Sequence, residues 1–174
     1  MQTSIYTSKK LEKIISKLIK TSEIETSEGI LGKWNVTLFY INRKKCFLFT
    51  NAKTAYNVIL TDIKATDLNV IDDLFKDTLY AQLTYDTIIT SFSDLDSIIG
   101  TINFYTTDND KRTIGFQNHS IQIMNHWKHQ FARIEKMHIK DLTNRMNTLP
   151  IHLGKGKKMS DYTTPVKEMK KLLS

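Results

Sequence analysis

LGKWNVTLFYINRKKCFLFT, residues 31–50, holds two apolar runs on either side of Asn42, Arg43, Lys44 and Lys45. In the first run Trp34, Val36, Leu38 and Tyr40 alternate with Asn35, Thr37, Phe39 and Ile41, the two-residue period of a strand. The second, Cys46 to Thr50, is rich in Phe and Leu and suits a strand covered by helices. The stretch therefore reads as a β-hairpin over 33–50, central in its sheet rather than at an edge. Its Trp34 face is too apolar to be left in water and is expected to pack on a long helix from later in the chain.

Before the hairpin, Thr3 to Thr7 reads as a short strand, and Ser8 as the N-cap of a helix over 9–20. Leu11, Ile14, Ile15, Leu18 and Ile19 form its apolar stripe, with lysines on the flanks and back. Such a basic amphipathic helix can lie on anionic lipid or RNA, or simply face a core with a soluble back. Residues 21–30 read as a loop.

After the hairpin, Asn51 to Thr54 has turn chemistry, and Tyr56 to Ile63 fits either a third strand or a short helix. A helix over 67–83 follows, with Leu68, Ile71, Leu74, Phe75 and Leu79 at helical spacing. A weaker helical stretch from Tyr85 to Ile99 is closed by Gly100, and TINFYTT reads as a strand over 101–106. Thr113 is expected to cap the longest helix, 114–146, the fold's main buttress. Pro150, Gly154 and Gly156 end that pattern, so 150–163 reads as a flexible basic loop. Thr164 as N-cap and Pro165 at the first helical position start a closing helix, 165–174. The expected architecture is one α+β domain over 1–174. Its antiparallel sheet is built on the 33–50 hairpin and packed against several helices.

Composition bounds the function. A chain of 174 residues, 40% hydrophobic, builds a real core. There is no run of about 18 apolar residues and no apolar signal-peptide core at the N-terminus, so a cytoplasmic protein without a membrane association is expected. Cys46 is the single cysteine and sits in an apolar strand, which favours a small buried hydrophobe over redox chemistry. The net charge of +7 is unevenly spread. Residues 1–60 carry ten Lys/Arg against four acids, 61–110 two against ten, and 111–174 thirteen against four. This segregation brings either ordinary solvated helix faces, a basic patch for nucleic acid or an acidic partner surface.

The order TSKKLEKI, LGKWNVTLFYINRKKCFLFTNAKT, a D-L-x-x-x-D-x-L-F-like helix, FYTTDNDKRTIGFQN and TPVKEMKKLL resembles a group of small bacterial proteins known as a domain of unknown function. Their hairpin looks like LGxWxxNLxxIxRRKCxLFTNxKT and their later motif like T-x-x-R-S-x-L-G-S-M-N-D. The likeness covers nearly the whole chain and is most specific in the hairpin. Where that family tends to have Ser-Met-Asn-Asp, this chain has Phe116, Gln117, Asn118 and His119, so the acidic residue is replaced here. The resemblance implies a single compact cytoplasmic domain and brings no activity.

His119, His126 and His129 fall on one predicted helix, but no cysteine or H-E-x-x-H pattern completes a zinc site, and no metal or cofactor is expected. GKGKK at 154–158 lacks the phosphate-loop pattern. The better cluster joins Arg43, Lys44 and Lys45 at the hairpin tip, Asn51, Lys53 and Thr54 at its far end, and Arg112, Thr113, Gln117 and Asn118 at the start of the long helix. It reads either as turn and cap satisfaction or as an anion seat. The leading expectation is a non-enzymatic cytosolic binding or regulatory module that docks a partner protein or nucleic acid, in an antitoxin-like or phage-defence role. The alternative is an RNA- or phosphoester-directed enzyme using Arg112, His119 and Lys53, for which no acid/base pair stands at a defined spacing. The residues do not indicate an oligomeric state.

Overall fold

The computed structural model describes residues 2–21, 29–88, 91–154 and 158–174. Most of the predicted 21–30 loop and the centre of GKGKK lie outside the described residues.

The hairpin forms as read: β2 (Trp34–Ile41) and β3 (Lys44–Asn51) pair antiparallel, with Ile41 opposite Lys44. Asn42 and Arg43 take φ of 47° and 66°, the mirror-image turn whose twist matches that of the strands it joins. Tyr56 to Ile63 resolves as a strand, β4 (Asn57–Leu60), which pairs antiparallel with β3. Together with β1 (Gln2–Thr7) and β5 (Thr101–Tyr105) these strands form a sheet ordered β4-β3-β2-β1-β5, with the hairpin inside it.

The sheet is mixed, not wholly antiparallel as expected, because β1 runs parallel to both β2 and β5. The physical reason is connection length. Parallel neighbours need a crossover, and the chain joins β1 to β2 and β4 to β5 through helical segments long enough to supply one.

Helices cover both faces, so the fold is α+β with two cores. On one face Trp34, Val36, Phe47 and Phe49 pack with Phe75 and Leu79 of α2 (Ile71–Tyr85). Leu11 of α1 (Lys9–Glu12), Leu95 and Ile99 of α3 (Phe92–Ile99), and Met169 of α6 (Pro165–Leu173) complete it. On the other face Phe39, Ile41, Cys46 and Leu48 meet Met124 of α4 (Lys111–Trp127), with Leu142 and Met146 of α5 (Ile139–Asn147). Trp34 therefore packs on α2, not on the long helix: its ring stands edge-on to Phe75, centroids 5.3 Å apart. Cys46 is fully buried, and burial pushes its thiol pKa up.

Three predicted helices are shorter than their patterns. The 114–146 helix is broken into α4 and α5. Unbroken it would run about 50 Å, far past the sheet it covers. The break lets Ile134 and Met137 enter the second core. Helix 9–20 ends at Glu12, and a 3-10 turn over Ser16–Leu18 follows. There Lys20 N donates to Phe104 O at 2.8 Å, so the segment covers the outer edge of β5 rather than continuing as helix. Helix 67–83 begins as a 3-10 stretch, Ala65–Val70, before α2.

Caps divide similarly. Thr164 accepts from Lys167 N as expected, and Gly100 closes α3 at φ 61°. The cap of α4 is Asp110 rather than Thr113, and Ser8 makes no side-chain cap. Within 150–163, Ile151–His152 (β6) and Tyr162–Thr163 (β7) form a two-stranded ribbon. No described helix is long and apolar enough to cross a membrane.

Candidate functional site

The chain leaves β1 onto the α2 face, through α1, and leaves the adjacent parallel strand β5 onto the opposite face, through α4. Where connections from neighbouring parallel strands depart to opposite faces, a crevice opens beyond the strand ends. Here it holds a cleft of about 530 Å³. Val36–Tyr40 of β2 form its floor, Ser8, Lys9 and Lys10 one wall, and Ile114, Gln117, Asn118 and Ile121 of α4 the other.

The end of the cleft near Thr107 and Asn109 is closed by the loop between β5 and α4, pinned from three directions. Lys33 Nζ lies 2.5 Å from Asp108 Oδ2 and 3.2 Å from Asp110 Oδ2. Asn35 Nδ2 donates to Asp108 Oδ1 at 2.8 Å, and Thr107 N donates to Glu12 Oε1 at 2.8 Å. The Lys33 ammonium also stands 5.6 Å from the centre of the Tyr6 ring. Partial burial opposes its charge, but bonding to Asp108 and Asp110 outweighs it and holds the pKa of Lys33 above the ordinary lysine value. Burial likewise works against the Asp110 carboxylate, yet the Thr113 N–H and Lys33 hold its pKa below the usual range. Asn35 is 5% exposed and its Oδ1 has no hydrogen-bond partner, as is true of Ser8 Oγ; both residues line the cleft.

A family model described as a domain of unknown function (DUF6933) matches residues 4–168. The chain belongs to this family. Comparison with curated proteins and with solved structures returned no match. The DUF6933 match spans β1 into α6, so the cleft and its pinned loop both lie within it.

The residues singled out from the sequence separate in the DUF6933 fold. Arg43, Lys44 and Lys45 stand at the hairpin tip, a strand's length of about 23 Å from Asn51. Lys44 is held between Glu135 Oε1 at 2.5 Å and Asp62 Oδ2 at 2.9 Å. At the other end Asn51 organises its own turn: its Oδ1 accepts from Lys53 N and Thr54 N, each at 3.0 Å. Lys53 Nζ reaches Ile30 O at 3.3 Å. Arg112 reaches this turn by donating to Ala52 O, and to Leu153 O at 3.2 Å. Gln117 is buried and donates to Asn35 O at 2.9 Å, while Asn118 is exposed on the cleft wall.

His119 borders pockets beside Pro150 and Trp127, and neither Arg112 nor Lys53 lines either of them. No group of three or more His, Cys, Asp or Glu among the described residues is arranged to hold a metal. Lys33, Asn35, Asp108 and Asp110 were not candidates from the sequence. Their only signal was the Thr107–Lys111 turn, whose aspartates read as turn formers until the sheet brought Lys33 against them.

Proposed function

We propose that this DUF6933 domain is a non-enzymatic binding module that docks a macromolecular partner at the cleft between α1 and α4. The lining of the cleft carries the reading: it includes Lys9 and Lys10 but no carboxylate, histidine or cysteine. Neither lysine is in an ion pair among the described residues. A site with exposed cations, amides and hydroxyls and no acid/base couple is suited to holding a partner rather than transforming one. The charge segregation along the chain supports a partner protein or nucleic acid of complementary sign. The biological form we infer is a bacterial cytoplasmic protein that restrains or senses its partner, in the manner of an antitoxin or a phage-defence component.

A photo-crosslinking amino acid placed at Asn118, compared with one at Asp77 on the far helix α2, tests this in cells of the native host. Adducts from position 118 and none from position 77 are the expected result. Equal labelling from both positions, or none from either, would overturn the docking site.

A further inference from the structure

β1 and β2 differ in where they stop, and the difference leaves a strand edge open inside the cleft. Their pairing ends at Thr7 opposite Val36, while β2 continues to Ile41. Ser8 N donates to Val36 O at 2.9 Å and then the chain turns away into α1. That bond also sets the phase. In a strand, alternate residues point their N–H and C=O to opposite neighbours, so Val36, Leu38 and Tyr40 aim theirs toward the β1 side. Thr37, Phe39 and Ile41 aim theirs at β3, consistent with the closed Ile41–Lys44 pair at the turn. Among the described residues nothing bonds the main-chain groups of Leu38 or Tyr40 on the open side.

An open edge in the interior of a sheet is a template for another strand, and proteins ordinarily blunt or cover it. Here α1 and α4 stand on either side and leave it accessible. Resting on the docking cleft proposed above, we infer that the occupant is an extended acidic peptide segment of a partner protein, which adds as a strand to Thr37–Ile41 in line with β1. The two walls set its side chains. Residues facing α4 meet the apolar side chains of Phe39, Ile114 and Ile121 beside the amides of Gln117 and Asn118; residues facing α1 meet Lys9, Lys10 and the half-exposed ring of Tyr40. The segment that fits alternates apolar with acidic residues. Main-chain bonds to Leu38 and Tyr40 supply affinity, and the alternation supplies specificity.

The test uses the full chain and synthetic peptides of alternating valine and glutamate, at concentrations up to millimolar, with amide exchange and chemical shifts read at Leu38 and Tyr40. Binding should protect both amides. Two versions of the peptide, N-methylated on alternate residues in complementary phases, should differ, because only one phase removes donors that face β2. Reversing both lysines, K9E with K10E, should weaken binding of the valine–glutamate peptide about tenfold and favour a valine–lysine peptide instead. Equal behaviour of the two N-methylated peptides overturns strand addition. If a single-stranded oligothymidylate binds the cleft and no peptide does, the docking cleft stands and the peptide occupant falls. If neither ligand binds and crosslinking from position 118 is also absent, both readings fall together.

Discussion

Asn147 completes the edge of the sheet at Asn57: Asn57 N donates to Asn147 Oδ1 at 2.8 Å, and Asn147 Nδ2 donates back to Asn57 O at 3.0 Å. A side-chain amide on α5 thus satisfies both main-chain groups of one residue, as a neighbouring strand would. β4 is the last strand on that side, and Asn147 is fully buried. This pair ties the second half of the broken helix to the sheet and keeps edge groups from being orphaned where water does not reach.

Asn147→Ala removes both partners and leaves a buried N–H and C=O unsatisfied. The expected cost is about 2–6 kcal/mol, from roughly 1–3 kcal/mol for each group. A urea titration followed by circular dichroism measures it. A change within error would mean that water reaches Asn57 and that the edge is not sealed by α5.

Trp34 is fully buried between Phe75 and the sheet. Trp34→Ala should cost about 3–5 kcal/mol through lost burial and the cavity left behind, lowering Tm on the order of 10 °C. A thermal melt decides it, and an unchanged melt would make this face a surface rather than a core.

The pinned loop predicts a pH response. Asp110 binds its proton less readily in the folded chain than in the unfolded one. The stability it contributes is therefore present above the ordinary carboxylate range and is lost as pH falls through its lowered folded value. Asp110→Asn should flatten the acid limb of a urea-midpoint against pH profile while leaving its slope near neutrality unchanged. Identical acid limbs in the two proteins would dissociate the Lys33 cluster from acid stability.

Arg112 acts as a clamp on the Asn51–Thr54 turn through Ala52 O and Leu153 O. Arg112→Ala should destabilise by about 1 kcal/mol, and Arg112→Lys should not restore it, because one ammonium does not reproduce the fork of a guanidinium. Heparin affinity of Arg112→Ala should stay at wild-type level in a salt titration. A loss of heparin affinity in Arg112→Ala would return Arg112 to the binding surface.

The sequence by itself determined what depends on near neighbours. Two-residue alternation marks β2, the run rich in Phe and Leu marks β3, the polar cluster Asn42 to Lys45 marks the turn between them, Thr164 with Pro165 starts α6, and an apolar setting buries Cys46. Each of these is settled within a few residues by strand period, turn chemistry or capping. Tertiary structure decided what depends on distant partners. The apolar stripe over 114–146 satisfies helical spacing across the break, and only the limited extent of the sheet divides it so that Ile134 and Met137 can reach the core. Trp34 has the same alternation whichever helix covers it, so its contact with Phe75 is a matter of which face α2 takes. The cleft has the same origin. The lengths of β1 and β2 are each readable locally, but an open edge exists only because the two pair in parallel with Thr7 opposite Val36, a register set by packing between segments far apart in the chain.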